Sequence, residues 1–98
     1  MKTLHDESNL KFYILDNNNL EIGELLYSIN HEEKTIKLNS TWVEEEYRNQ
    51  NLATILTEAL IEFARLNHLK IIPVCSFGKA YFKRHGHKHS DVIFFKQI

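Results

Sequence analysis

A single cysteine, Cys75, leaves this chain no way to close an internal disulfide, so a reducing cytoplasm is its expected home. Proline occurs once, at Pro73, and glycine three times, at Gly23, Gly78 and Gly86. No linker, repeat or low-complexity stretch divides the 98 residues, and a chain of that length has room for one domain, expected to span 1–98. Neither sign of charge is in surplus. The formal net charge is −1, which argues against nucleic acid as the main partner, because phosphate binding draws on an excess of Lys and Arg. A local basic patch remains around Lys79, Lys83, Arg84 and Lys88. No apolar run is long enough to span a membrane, and residues 1–7 lack the apolar core of a signal peptide. The expectation is a cytoplasmic domain with neither a membrane nor a nucleic-acid partner.

What is present is an ordinary globular composition, 43 % hydrophobic and 26 % charged. A chain this short buries only about 60–65 % of its unfolded surface, and six Phe, four Tyr and one Trp supply the core in large pieces. Lys11–Leu15 predicts a strand. An Asn-rich turn at 16–19 leads to a second strand at 20–29, bent or bulged at Gly23. Thr35–Val43 predicts a third, with Ile36, Leu38, Ser40 and Trp42 on one face and Lys37, Asn39, Thr41 and Val43 on the other. The period then changes. Leu52, Ile55, Leu56, Ala59, Leu60, Phe63 and Ala64 recur at three- and four-residue steps, one face of a helix with Thr54, Thr57, Glu58, Glu62 and Arg65 outside. A left-handed Asn67 is the expected stop. Residues 70–74 predict a short buried strand in which Pro73 marks an edge or a place where pairing ends, Ser76–His85 a second helix, and 92–95 a last strand. The order β-β-β-α-β-α-β is an α+β domain with a mixed, mostly antiparallel sheet, one long helix and one short.

The turn between the third strand and the long helix carries a recognisable pattern. Thr41-Trp42-Val43 ends the strand, and Tyr47-Arg48-Asn49-Gln50-Asn51-Leu52-Ala53 opens the helix. Together they resemble the acyl-CoA signature of the Gcn5-related N-acetyltransferases, a strand ending in Val followed by Arg-Gly-x-Gly-(Ile/Leu)-(Ala/Gly). The match continues through Leu69-Lys70-Ile71-Ile72-Pro73-Val74-Cys75-Ser76-Phe77 and Tyr81-Phe82-Lys83-Arg84-His85. That stretch is similar to the very small subfamily of about a hundred residues, which lacks the N-terminal helices of larger members. The resemblance covers roughly residues 10–95.

It implies acetyl-CoA as cosubstrate, a primary amine as acceptor, on a protein or another molecule, and no metal. Arg48, Asn49, Gln50, Asn51, Leu52 and Ala53 are the implied phosphate cradle. Thr41, Trp42 and Val43 are implied to hold the pantetheine and acetyl carbonyl by sheet-like hydrogen bonds. The physics suits the ligand: the first turn of a helix leaves N–H groups without partners at the positive end of its dipole, and a pyrophosphate accepts them. Arg48 adds a charge-assisted contact, and small Ala53 admits the phosphate to the backbone. With the N-terminal helices absent, the acceptor side is expected to be open. Three departures stand out. Asn49 and Asn51 replace glycines, though Asn is the commonest non-glycine residue in left-handed conformations. Ser40 stands where the small subfamily has His. Phe82 stands four residues before Gly86, where larger members have a Tyr acting as general acid; Tyr81 is beside it, about 100° around the helix. The expected function is an N-acetyltransferase, with a non-catalytic acyl-CoA-binding module as the alternative that Ser40 and Phe82 favour.

Other residues have chemical potential. Cys75 precedes a helix, a place where a thiolate is stabilised, and is a candidate acyl acceptor, proton donor or redox-sensitive gate; a small buried hydrophobe is the competing reading. Glu44, Glu45 and Glu46 are candidates for a general base, or simply stabilising charges at a helix start. His85, His87 and His89 would project from one side of an extended segment, but no carboxylate or Cys at ligand spacing completes a metal set. The same basic run could meet the ribose phosphate of coenzyme A.

Overall fold

A computed structural model describes residues 1–94. Five strands, β1 (Lys2–Asp6), β2 (Lys11–Leu15), β3 (Glu21–Asn30), β4 (Thr35–Val43) and β5 (Lys70–Pro73), form one sheet in chain order. The first four run antiparallel, and β5 joins β4 in parallel after the crossover helix α1 (Leu52–Leu66). A 3-10 helix at Glu45–Gln50 precedes α1, and helix α2 (Ser76–His85) runs into another at Gly86–His89. The α+β class and the mostly antiparallel sheet are as the sequence predicts.

Local chemistry sets the turns. Asp16 Oδ1 accepts from the N–H groups of Asn18 and Leu20 at 2.8 and 3.0 Å, with Asn19 at φ 64°, closing the β2–β3 hairpin. Asn30 Oδ1 does the same for Glu32 and Glu33, both at 3.0 Å. At the end of α1 the stop belongs to His68, at φ 57°, rather than Asn67, at φ −102°. Leu69 N–H reaches Ala64 O and His68 N–H reaches Arg65 O, a Schellman closure in which the residue after the cap takes the left-handed conformation. Asn67 instead uses its side-chain amide to cover Phe63 O.

Strand β1 has no counterpart among the expected elements. Lys2-Thr3-Leu4-His5-Asp6 is too polar to announce itself, and pairing with β2 is what holds it. His5 turns inward, stacks on Phe12 at 3.9 Å, and hydrogen-bonds Tyr27 Oη through Nε2 at 2.7 Å. Burial lowers its pKa, which favours the neutral ring there.

Two further differences matter for the site. In the β3–β4 ladder Leu26 pairs with Ser40 but Tyr27 pairs with Leu38, so Asn39 is an extra residue and β4 is bulged. Side-chain alternation flips there. Ile36 and Leu38 face the core as expected, but Thr41 and Val43 follow them inward while Ser40 and Trp42 turn out. The buried stripe of α1 is Leu52, Leu56, Thr57, Leu60, Ile61 and Ala64, with Ile55 40 % exposed. Thr57 is buried against expectation because its hydroxyl bonds Ala53 O at 2.8 Å, leaving no polar group unpaired. Near Gly23, pairing with β2 skips Ile22, which places the anticipated irregularity.

Both helices pack on one face of the sheet, over Ile14, Leu25, Ile36, Leu38 and Ile71. Among the described residues no helix covers the other face, where Lys11, Tyr13, Glu24, Leu26 and Lys37 alternate with the core positions. The last expected strand, 92–95, is reduced to a parallel bridge of Ile93 with Ile71, and Phe95 lies outside the described residues. No helix among the described residues is long and apolar enough to cross a membrane.

Candidate functional site

Pairing between β4 and β5 stops at Leu38 and Pro73. Proline has no N–H to carry the ladder further, and the next two N–H groups, of Val74 and Cys75, both close on Leu38 O at 2.9 and 3.2 Å. The chain then turns into α2, while β4 runs on to Val43 with no strand among the described residues on that edge. Two parallel strands that diverge at their carboxyl ends leave a crevice of the kind in which open sheets bind ligands.

A cleft of about 340 Å³ fills this wedge. Thr41, Trp42 and Val43 wall it from β4, Arg48 from the 3-10 helix, Asn51, Leu52, Ala53 and Thr54 from the start of α1, and Phe77 from α2. Thr41 pairs opposite the core residue Leu25, whereas Trp42 pairs opposite Glu24 on the uncovered face.

Asn51 decides the character of the helix start. It sits at φ 59°, ψ 27°, ending the 3-10 helix and opening α1, and its side chain makes no capping bond. An Asn serving as an ordinary N-cap would be extended and would bond an N–H of the first turn. Here the first turn of α1 has no side-chain cap, and its backbone donors lie beside the cleft that Leu52, Ala53 and Thr54 line. Arg48 donates from Nε to Val43 O at 3.0 Å, which fixes the guanidinium on the cleft wall. Cys75 does not itself line the cleft: its Sγ lies 3.6 Å from Oγ1 of the wall residue Thr41 and accepts the Gly78 N–H at 3.3 Å. Gly78 is needed for this approach: a Cβ there would lie 3.1 Å from Leu38 Cδ1 and 3.4 Å from the sulfur.

Residues 11–92 match the family model described as GCN5-related N-acetyltransferase. The chain belongs to the GCN5-related N-acetyltransferase family. A GCN5-like candidate N-acetyltransferase from Staphylococcus aureus, solved by NMR, has the same fold with TM-score 0.74 and 31 % identity, over 98 % of this chain and 90 % of that one. Tetrahymena GCN5 matches with TM-score 0.65 at 16 % identity, over 76 % of this chain and 48 % of its own. N-acetylglutamate synthase from Neisseria gonorrhoeae, complexed with coenzyme A and N-acetyl-glutamate, matches with TM-score 0.65 at 13 %, over 80 % of this chain and 19 % of its own. This small member of the family thus spans nearly all of the first, about half of the second and a fifth of the third. No curated protein matches its sequence significantly.

Of the positions that the family signature points to, the cleft brings together Thr41, Trp42, Val43, Arg48, Asn51, Leu52 and Ala53. Asn49 and Gln50 are exposed in the 3-10 helix and do not line it. Thr54 and Phe77 line it without having been expected. Thr54 could have been found by counting to the third residue of the helix, whereas Phe77 depends on how α2 docks. Phe82 is buried at 8 % exposure, and the Tyr81 hydroxyl is turned to His89 Nε2, 3.4 Å away, rather than to the main cleft. Burial, with a smaller contribution from Glu58, raises the Tyr81 pKa. Tyr81, Arg84 and His85 border a groove of about 160 Å³ that adjoins the main cleft through Thr54 and Phe77. Glu44 and Glu46 border a different cleft, with Asp16, Glu21 and Tyr47. His87 and His89 lie in a 3-10 helix, not an extended segment, so the shared side expected of them is lost. Among the described residues no His, Cys, Asp and Glu group is arranged to hold a metal.

Proposed function

We propose that this protein binds acetyl-CoA in the wedge between β4 and β5 and transfers the acetyl group to a primary amine. The observation that carries the reading is Asn51: left-handed and not capping, it leaves the α1 first-turn N–H groups free for the pyrophosphate. Arg48 adds charge-assisted bonds to the same phosphates. The unpaired edge of β4 at Thr41, Trp42 and Val43 takes the pantetheine as a strand would and polarises the acetyl carbonyl. Arg84, in the adjoining groove, suits the ribose phosphate. Coenzyme A is bound in the Neisseria structure of the same fold.

In the reaction, the neutral amine attacks the acetyl carbonyl carbon directly. A C–N bond forms, the C–S bond breaks, the nitrogen gives up a proton to solvent, and the coenzyme A sulfur leaves and is protonated. Positioning of the two reactants supplies most of the acceleration. Cys75, 3.6 Å from the wall residue Thr41, is assigned the protonation of the leaving thiolate and takes its own proton back from solvent.

Acetyl-CoA is expected to stabilise the fold by about 2.7 kcal/mol at ~100 times its dissociation constant, an upward shift of roughly 10 °C or more for a domain of this size. A thermal scan unmoved by millimolar acetyl-CoA would sink the reading. Cys75→Ala removes the acceptor for the Gly78 N–H and is expected to cost about 1 kcal/mol of stability. If Cys75 protonates the thiolate, the variant keeps its acetyl-CoA shift while CoA release with an amine panel falls tenfold or more, ~1.4 kcal/mol in the barrier. Unchanged turnover retires that role for Cys75. Normal acetyl-CoA binding with no CoA release from any amine, in the natural sequence, would instead establish a non-catalytic acyl-CoA-binding module.

A further inference from the structure

Charge is segregated along this chain. Asp91 is the only acidic residue after Glu62, so residues 63–90 carry Arg65, Lys70, Lys79, Lys83, Arg84 and Lys88 with no carboxylate among them. The net charge of −1 therefore conceals an acidic first part and a basic second part. Arg65 is neutralised in the fold by Glu62 and Asp91. Lys79, Lys83 and Arg84 on α2, and Lys88 in the 3-10 helix after it, are exposed. Among the described residues none of these four pairs with a carboxylate.

Helix stability does not account for the group. Cations in the last turn suit the dipole, which covers Lys83 and Arg84. Lys79 stands in the first turn, at the positive end, and repels Lys83 four residues on. At about 100° per residue Lys79, Lys83 and Arg84 form one stripe, and Arg84 is its edge on the groove that Tyr81 and His85 border. Burial, then the charges of Lys88 and Arg84, lower the His85 pKa, as a positive field without counter-charge does.

The stripe lies on the way out of the cleft, because groove and cleft meet at Thr54 and Phe77. With pantetheine along β4 and its phosphate at the start of α1, whatever that phosphate is attached to leaves over α2. In coenzyme A this is a phosphoadenosine, and Arg84 meets its ribose phosphate. Lys79, Lys83 and Lys88 line neither the cleft nor the groove. They are left for an anionic surface broader than one nucleotide.

We propose that α2 and the 3-10 helix after it dock an acidic protein that carries the acetyl donor on a phosphopantetheine arm, with the arm in the wedge and the carrier over Lys79, Lys83 and Lys88. This rests on the acetyl-transfer reading above and names a second donor for the same site. The bond changes are the same: C–N forms, the C–S bond to the arm breaks, and the protonated thiol stays on the carrier. Complementary charge of this kind speeds encounter, rejects neutral partners and is screened by salt.

The test titrates the full chain by calorimetry with acetylated acyl carrier protein, with the same carrier lacking its arm, and with acetyl-CoA. The armed carrier is expected to bind at least tenfold more tightly than the armless one. Its affinity should fall about tenfold between roughly 0.05 and 0.3 M NaCl. In the double variant Lys79→Glu, Lys83→Glu the carrier should bind at least tenfold more weakly, while acetyl-CoA affinity changes less than threefold. The two substitutions act in opposite senses on the α2 dipole, and the thermal shift with acetyl-CoA checks that the variant is folded. Acetyl-CoA binding without carrier binding, or a carrier affinity unmoved by the double variant, overturns the inference and leaves acetyl-CoA as the donor. Equal binding of armed and armless carriers overturns the place given to the arm. Tighter binding of a single-stranded RNA, lost in the same variant, overturns the protein partner in favour of nucleic acid. Carrier binding that needs both the arm and the lysines, with no acetyl-CoA binding, supports the inference while defeating coenzyme A as the donor.

Discussion

Replacing Leu56 by alanine is expected to lower the unfolding free energy by about 2–5 kcal/mol, a large share of what a domain of this size possesses. Leu56 is fully buried in the second turn of α1. Its Cδ1 lies against Gly23, where even a Cβ would come within 3.5 Å of it. Gly23 is in turn the register partner of Val43, the last residue of β4 and a wall of the cleft. Leu56 is therefore the side chain through which the start of α1 rests on the end of β4. Removing it opens a cavity that the neighbouring strands are too well paired to fill. In urea the midpoint should fall while the slope stays the same, because the unfolded chain is unchanged in extent. Acetyl-CoA should recover part of the loss, since the ligand binds only the folded form. A loss below about 1 kcal/mol would show that α1 is seated by other contacts.

Much of the frame behind this expectation was legible in the sequence. The strands at 11–15 and 35–43, the helix beginning at Leu52 and the helix at 76–85 fall where residue type and period put them. These segments carry their own signal: β-branched and aromatic runs, three- and four-residue apolar spacing, and Asn or Asp at the turns. The losses have a common cause, which is that they depend on a partner elsewhere in the chain. Strand β1 exists because β2 and the Phe12, Tyr27 and Phe63 rings receive His5. The bulge at Asn39 is invisible in a segment whose alternation reads cleanly on paper, yet it reverses the faces of Thr41 and Trp42. Thr57 looks like a surface residue until its hydroxyl is seen to bond within the helix.

The site was legible to a different degree. Position 51 could be singled out because the family resemblance calls for glycine there, and asparagine is the side-chain-bearing residue that best tolerates the positive φ such a position takes. Trp42, Thr41 and Val43 were placed at the cofactor, with Trp42 opposite in face to Thr41 and Val43, but with the two faces exchanged, because the bulge at Asn39 brings Thr41 and Val43 to the side of Leu38. Phe77 reaches the cleft only because Gly78 lets α2 come within contact of Leu38 and Pro73. Nothing in the local sequence announces a contact of that kind.

Asn51 offers the most discriminating pair of substitutions. At φ 59°, ψ 27° the residue is in the left-handed region, which glycine adopts freely, asparagine at modest cost, and a β-branched residue only with strain. Asn51→Gly should keep the fold and bind acetyl-CoA as well or better, because its side chain caps nothing and its removal uncrowds the backbone. Asn51→Val should lose about 1–2 kcal/mol of stability from the backbone conformation alone. It should also lose tenfold or more in acetyl-CoA affinity, about 1.4 kcal/mol, since the branched side chain crowds the place assigned to the phosphates. Stability by itself does not separate the readings, because a strained helix start would suffer equally without any ligand. The ratio of affinities does. Titration calorimetry on the two variants, with folding checked by circular dichroism, gives that ratio directly. Equal affinities in the glycine and valine variants would remove Asn51 from the cradle and leave the turn with a purely structural task.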